Sequence, residues 1–106
     1  MDNITTIYKI LKMLETSMDY PAFNCDYFTP EHFHLSEERF YSLIRMLVNE
    51  GLIEGVQVET DAAGNFNVSI SRPRLTLKGL EYLNDNSLMQ RAMRTAKGIK
   101  DIIPFV

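Results

Sequence analysis

A chain of 106 residues, 45% hydrophobic and with a net charge of −3, has the size of one domain with a modest core. No apolar run reaches about eighteen residues, so no membrane-spanning helix is expected. The N-terminus lacks the basic-then-apolar order of a secretory signal, and the lone Cys25 cannot form an internal disulfide, which fits a cytoplasmic protein. The acidic balance does not advertise a nucleic-acid binder, but it is uneven. Residues 1–50 hold eight acids against four bases, whereas residues 87–106 hold four bases against one acid.

The first helix is capped by Asp2 or Asn3. Its apolar stripe is Ile4, Ile7, Tyr8, Leu11, Leu14 and Met18, with Lys9 and Lys12 outside it. It should end near Asp19, because Pro21 disfavours helix at Tyr20, and it should serve as the scaffold for later elements. Tyr20–Phe28 is a loop rich in aromatics (Tyr20, Phe23, Tyr27, Phe28) that plugs the rim of a small core. Without interleaved Lys or Arg it makes a poor stacking surface for bases. No cation neighbours Cys25, so nothing activates its thiol.

Thr29-Pro30-Glu31 has the order of cap, first-turn proline and first-turn acid, which predicts a short second helix to about His34. His32 and His34, two apart, do not share a helix face and no zinc-type Cys–His spacing accompanies them, so no metal site is expected. Ser36 caps the next helix, with Glu37 and Glu38 at its positive end. Phe40, Leu43, Ile44, Leu47 and Val48 form its apolar stripe, and Gly51 supplies the left-handed residue that ends it. The opposite face carries Glu38, Arg39, Ser42, Arg45, Met46 and Asn49. Two helices joined by so tight a turn read as a helix-turn-helix.

Leu52–Thr60 and Phe66–Ile70 alternate with the period of half-buried strands, around the turn residues Asp61-Ala62-Ala63-Gly64-Asn65. This hairpin is a wing, but an acidic one: Glu54, Glu59 and Asp61, with no base before Arg72 and Arg74. Pro73 cannot donate to a ladder, so the strand is expected to end there. Thr76 then caps a helix in which Leu77, Leu80 and Leu83 pack inward. Asn84-Asp85-Asn86 break it, and Ser87 caps a final amphipathic helix from about Leu88 to Ile103. The apolar face of that helix is wider than one small domain usually covers. It packs on the domain or on a second subunit, in which case Leu88, Ala92, Met93, Ala96, Ile99 and Ile103 form a homodimer interface.

The expected fold is α+β and mostly α. It is a winged helix over residues 1–86 (helix-turn-helix plus two-stranded wing) with an added C-terminal amphipathic helix over residues 87–106. The first-helix stripe, Phe28-Thr29-Pro30-Glu31, Leu35-Ser36 with Phe40, and Asn49-Glu50-Gly51-Leu52-Ile53-Glu54-Gly55-Val56 resemble the YjcQ family, small winged-helix proteins of Gram-positive bacteria and their prophages. Leu75-Thr76-Leu77-Lys78-Gly79 with Tyr82-Leu83, and Ile99-Lys100-Asp101-Ile102, complete a resemblance that covers nearly the whole chain. It implies a winged-helix fold and a phage or prophage setting, and it offers no catalytic residues to carry over. Where the resemblance leads one to expect Gly before Leu35-Ser36, this chain has His34.

No nucleotide loop, nucleophile–base arrangement or paired-carboxylate pocket occurs, so no catalytic role, cofactor or metal is expected. Two functions compete. As a DNA-binding regulator, the chain would place Arg39, Ser42, Arg45 and Asn49 in the major groove and set Arg72 and Arg74 on phosphates. As a protein–protein interaction module, it would use the same fold without DNA, which suits the acidic wing and the outward Met46. Fold alone leans toward double-stranded DNA, and charge leans toward protein.

Overall fold

A computed structural model describes residues 3–21 and 25–96. Among these residues the protein is α+β and mostly helical: α1 (Asn3–Ser17), α2 (Glu37–Asn49), β1 (Ile53–Thr60), β2 (Phe66–Leu75), α3 (Leu77–Asp85) and α4 (Ser87–Ala96). The two strands form one antiparallel sheet. The order helix, turn, α2, hairpin is consistent with a winged helix.

The first helix is central. It packs on α4, α3 and β2, so it is buried beyond a single stripe. Thr5, Thr6 and Lys9 are buried beside Ile7, Leu11 and Leu14. Lys9 was expected outside the stripe; neighbours on several sides of α1 leave that face no water. Met18, expected in the stripe, is 62% exposed because α1 has already ended at Ser17. Phe28 and Phe33 close the core against Phe40, with ring centroids 5.6 and 5.7 Å from it. Cys25 opens a short 3-10 turn, Cys25–Tyr27, and Phe23 lies outside the described residues.

The short helix expected over Thr29–His34 is a turn. Its cap forms, since the His32 N–H donates to Thr29 Oγ1 at 3.2 Å. It closes at once, with the Leu35 N–H on the Pro30 carbonyl (2.9 Å) and the His34 N–H on that of Glu31 (3.1 Å). His34 sits at φ 58°, the left-handed region. A non-glycine residue there costs about 1–2 kcal/mol, and it stops the turn before a second one can form. The position where the resemblance calls for Gly is therefore one whose backbone favours Gly.

The second helix follows its sequence pattern. Ser36 accepts from the Arg39 N–H at 3.2 Å, and Phe40, Leu43, Ile44 and Leu47 are buried. Its end is a Schellman motif. The Leu52 N–H bonds to Leu47 O at 2.9 Å and the Gly51 N–H to Val48 O at 3.0 Å, with Gly51 at φ 73°.

The strand expected to stop at Pro73 runs on to Leu75. A bulge makes this possible: Glu54 pairs with Arg74 and Val56 with Ile70, leaving Gly55 opposite Ser71, Arg72 and Pro73. Within the bulge Pro73 has no ladder bond to lose, and it is buried. Gly55 is required there, at φ 82° and with any Cβ 1.9 Å from the Arg72 carbonyl oxygen. The bulge also lets Ile53 and Val56, three apart, both enter the core.

Thr76 caps α3 as expected, accepting from the Gly79 N–H at 3.0 Å. Leu83 is buried and Leu80 half-buried, but Leu77, expected to pack inward, is 72% exposed at the first helical position. The break after α3 is Asn86 alone. Asn86, not Ser87, caps α4, since its Oδ1 accepts from the Leu88 N–H at 2.8 Å. Met89 and Ala92 of α4 join the core. The expected continuation of this helix to Ile103 lies outside the described residues.

Candidate functional site

The outward face of α2 is the surface that both sequence-based functions select. Ser42, Met46 and Asn49 point to solvent along it, with Glu38 and Arg39 at its first turn. Their exposure follows from the burial of the opposite stripe. Beside this face, the start of α1 forms one wall of an open groove of about 610 Å³. Ile4, Ile7, Leu43 and Met46 give the groove apolar lining, and Arg39 and Glu38 stand among its polar residues. Met46 is 55% exposed. Arg39 Nη1 donates to Asn3 Oδ1 at 2.8 Å, which ties the first turn of α2 to the first residue of α1.

Arg45 does not follow the rest of the face. Its guanidinium lies 5.6 Å from the centroid of the Phe66 ring, and its Nη2 donates to Thr60 Oγ1. Tyr41, one turn earlier, meets the same ring with centroids 5.6 Å apart. Burial, followed by the carboxylates of Glu37 and Glu31, pushes the Tyr41 phenol above its ordinary pKa. Arg45 Nε is out of water with no acceptor. Arg45 therefore spans from helix to hairpin on the inner side of the sheet, where Val56 and Val58 face the core and Phe66 lies in the same row.

The two arginines of β2 lie elsewhere. Arg74 Nε contacts Glu54 Oε1 at 2.7 Å, and Glu54 follows the buried Ile53 in the strand, which puts this pair on the outer side of the hairpin. Arg72 Nη2 reaches back to the Pro21 carbonyl oxygen at 3.2 Å. Arg39, Ser42 and Asn49 thus share one helix face. Arg45 turns under the wing, Arg74 sits on its far side, and Arg72 meets the chain just after α1. Glu54, Glu59 and Asp61 of the wing are exposed.

Of the residues considered for a dimer, Leu88 and Met93 are exposed while Ala92 is 3% exposed in the core. Using Ala92 at an interface would require α4 to leave α1. Nothing is described of the Ala96 side chain, and Ile99 and Ile103 lie outside the described residues. Among the described residues no group of three or more His, Cys, Asp or Glu could hold a metal ion. His32 is instead ringed by Tyr27 and Phe33, at 5.6 and 5.0 Å. No described helix is long and apolar enough to cross a membrane.

Sequence reasoning did not find the contribution of Asn3, Ile4 and Ile7 to a groove with α2, nor the contact of Arg45 with Phe66 and Thr60. Each joins residues far apart in the chain, and local periodicity carries no signal for either.

A family model described as YjcQ protein matches residues 8–102. The uncharacterized protein YjcQ of Bacillus subtilis (strain 168) is 35% identical over 69 residues, which cover 65% of this chain and 70% of that relative. No solved structure matches. With residues 8–102 matched by the family model, the chain belongs to the YjcQ family.

Proposed function

We propose that this chain is a non-catalytic winged-helix module that docks a protein partner on the outward face of α2. The observation that carries this reading is the disposition of the arginines. A DNA reader needs its cations on one surface facing phosphate. Here Arg45 and Arg74 engage groups of the fold on opposite sides of the hairpin, and the exposed wing is acidic. What remains outward on α2 is Arg39 with Glu38 beside it, two neutral polar side chains and Met46, next to an apolar-lined groove. A groove of this kind suits the apolar side chains of a partner helix, and an exposed methionine adapts to their shape.

A second reading keeps duplex DNA as the ligand, with a prophage-borne regulator as the setting. It draws on Arg39, Ser42 and Asn49 sharing the outward face of α2. One pair of measurements separates the two. The protein-docking reading expects no binding to a random duplex pool at about 50 mM salt, where phosphate contacts are strong. It also expects a photo-crosslinker at Ser42 to trap a protein in cells, with the adduct lost in Met46→Glu. Duplex binding that falls steeply by about 200 mM salt, and disappears in Arg39→Ala/Asn49→Ala, would overturn it.

A further inference from the structure

Among the described residues, the hydrogen-bond phase of the hairpin leaves β1 with an open edge. At the turn, the Asp61 N–H donates to the Asn65 carbonyl at 2.9 Å, so Asp61 and Asn65 are a bonded pair. Bonded pairs recur every second residue in an antiparallel ladder. The pairs Glu59–Asn67 and Gln57–Ser69 are therefore bonded, and Val56, Val58 and Thr60 aim their N–H and C=O groups away from β2. The sheet has two strands, and among the described residues no backbone partner meets these outward groups. The edge carries neither Lys nor Pro, the residues that commonly blunt one. The far edge of β2 differs, since Arg72 there reaches the chain after α1.

We propose that the free edge of β1 accepts an extended peptide as a third strand, and that this peptide alternates apolar and basic residues. Backbone groups of Val58 and Thr60 supply the ladder, because Val56 is only 4% exposed. Side chains of the added strand on the inner side continue the Val56/Val58 row. Those on the outer side stand beside Gln57 and Glu59, with Asp61 further along, which selects Lys or Arg. An open groove of about 640 Å³ lies at the base of the hairpin, lined by both strands (Gln57 with Ser69 and Ser71) and by Val48 and Thr76. A second copy of this chain is the poorer occupant, because pairing β1 with β1 brings two acidic rows onto one face. This site is separate from the outward face of α2 and does not depend on the protein-docking reading.

The test uses the peptide Ac-Lys-Val-Lys-Val-Lys-Val-Lys-amide and its Glu-for-Lys counterpart, added to the full chain and followed by amide NMR. The Lys peptide should shift the Val58 and Thr60 amides saturably and slow their exchange by about ten-fold or more, while Gln57 and Glu59, already bonded, change little. The Glu peptide should do neither. Val58→Pro removes an outward donor without touching the β1–β2 ladder and should abolish the effect. If that variant fails to fold, Glu59→Lys still decides, because it should weaken the Lys peptide and favour the Glu peptide. Met46→Glu should leave the binding intact. Absence of shifts at millimolar peptide, equal response to both peptides, or shifts at Phe66 and Val68 in place of Val58 and Thr60 would overturn the proposal.

Discussion

The base and the tip of the hairpin are built on different principles. At the base, backbone presses on backbone: Gly55 lies against the Arg72 carbonyl, Pro73 is buried in the bulge, and Ile53 and Val56 are anchored in the core. At the tip, every residue from Asp61 to Asn65 is exposed. The turn there is a type I turn with a left-handed Gly64 (φ 87°), held by Asp61 Oδ1 accepting from the Ala63 and Asn65 N–H groups, both at 2.9 Å. Between them, Arg45 is a side-chain strut from α2. The base sets the angle at which the wing leaves the domain, because no side chain there can rotate to relieve a change.

Three substitutions bear on this contrast. Gly55→Ala should have the largest effect, a loss of about 3 kcal/mol or more, since the new Cβ meets a carbonyl oxygen and the backbone is left-handed. Urea unfolding measures it, and a loss below about 1 kcal/mol would mean that the bulge yields and the base is no stiffer than the tip. Arg45→Ala comes next, at about 1 kcal/mol for a cation–π contact and one hydrogen bond. Its mark should be local: amide exchange at Glu59 and Asn67, the bonded pair next to Thr60 and Phe66, speeds up roughly five-fold, while exchange at Ile53 and Leu75 stays unchanged. Equal acceleration at both ends would erase the distinction.

The smallest effect belongs to Asp61. Hydrogen bonding from the Asn65 N–H above all, helped by that of Ala63, holds its carboxyl below the ordinary 3.8. A carboxyl depressed in the folded state stabilises the turn fully above that ordinary value. The contribution is lost as pH falls below 3.8 and through the folded-state pKa. The Ala63 and Asn65 amide shifts should titrate in that window and should be flat in Asp61→Ala, with the core amides unmoved in both. A titration centred above 3.8 would contradict the turn geometry.

Most of the fold was legible because its signals are local. Ser36, Gly51 and Thr76 punctuate helices through bonds made within a few residues, and the strands alternate with their own period. The misreadings have non-local causes. Pro73 reads as a terminator until Gly55, on the other strand, makes a bulge around it. Lys9 reads as a surface residue until α3, α4 and β2 pack around α1. Thr29-Pro30-Glu31 reads as a helix, and its cap does form, but His34 turns left-handed too soon for a second turn. The candidate site was legible in part. The residue types on α2 were foreseen, while the direction of each arginine was not, because a long cationic side chain follows the nearest acceptor or ring in space and not its neighbours in sequence.

By itself the sequence determined the order of the main helices and the hairpin, the caps at Ser36 and Thr76, most of the apolar stripes, the acidic wing and the family motifs. These are properties of short windows, governed by backbone propensity and by periods of 2 and 3.6 residues. Only the tertiary structure decided that Arg45 turns under the wing and Arg74 pairs on its far side, that the start of α1 lends α2 a groove, and that no described residue pairs with the outer edge of β1. Each of these depends on which distant surfaces meet, and contact between distant surfaces is set by the packing of the whole core.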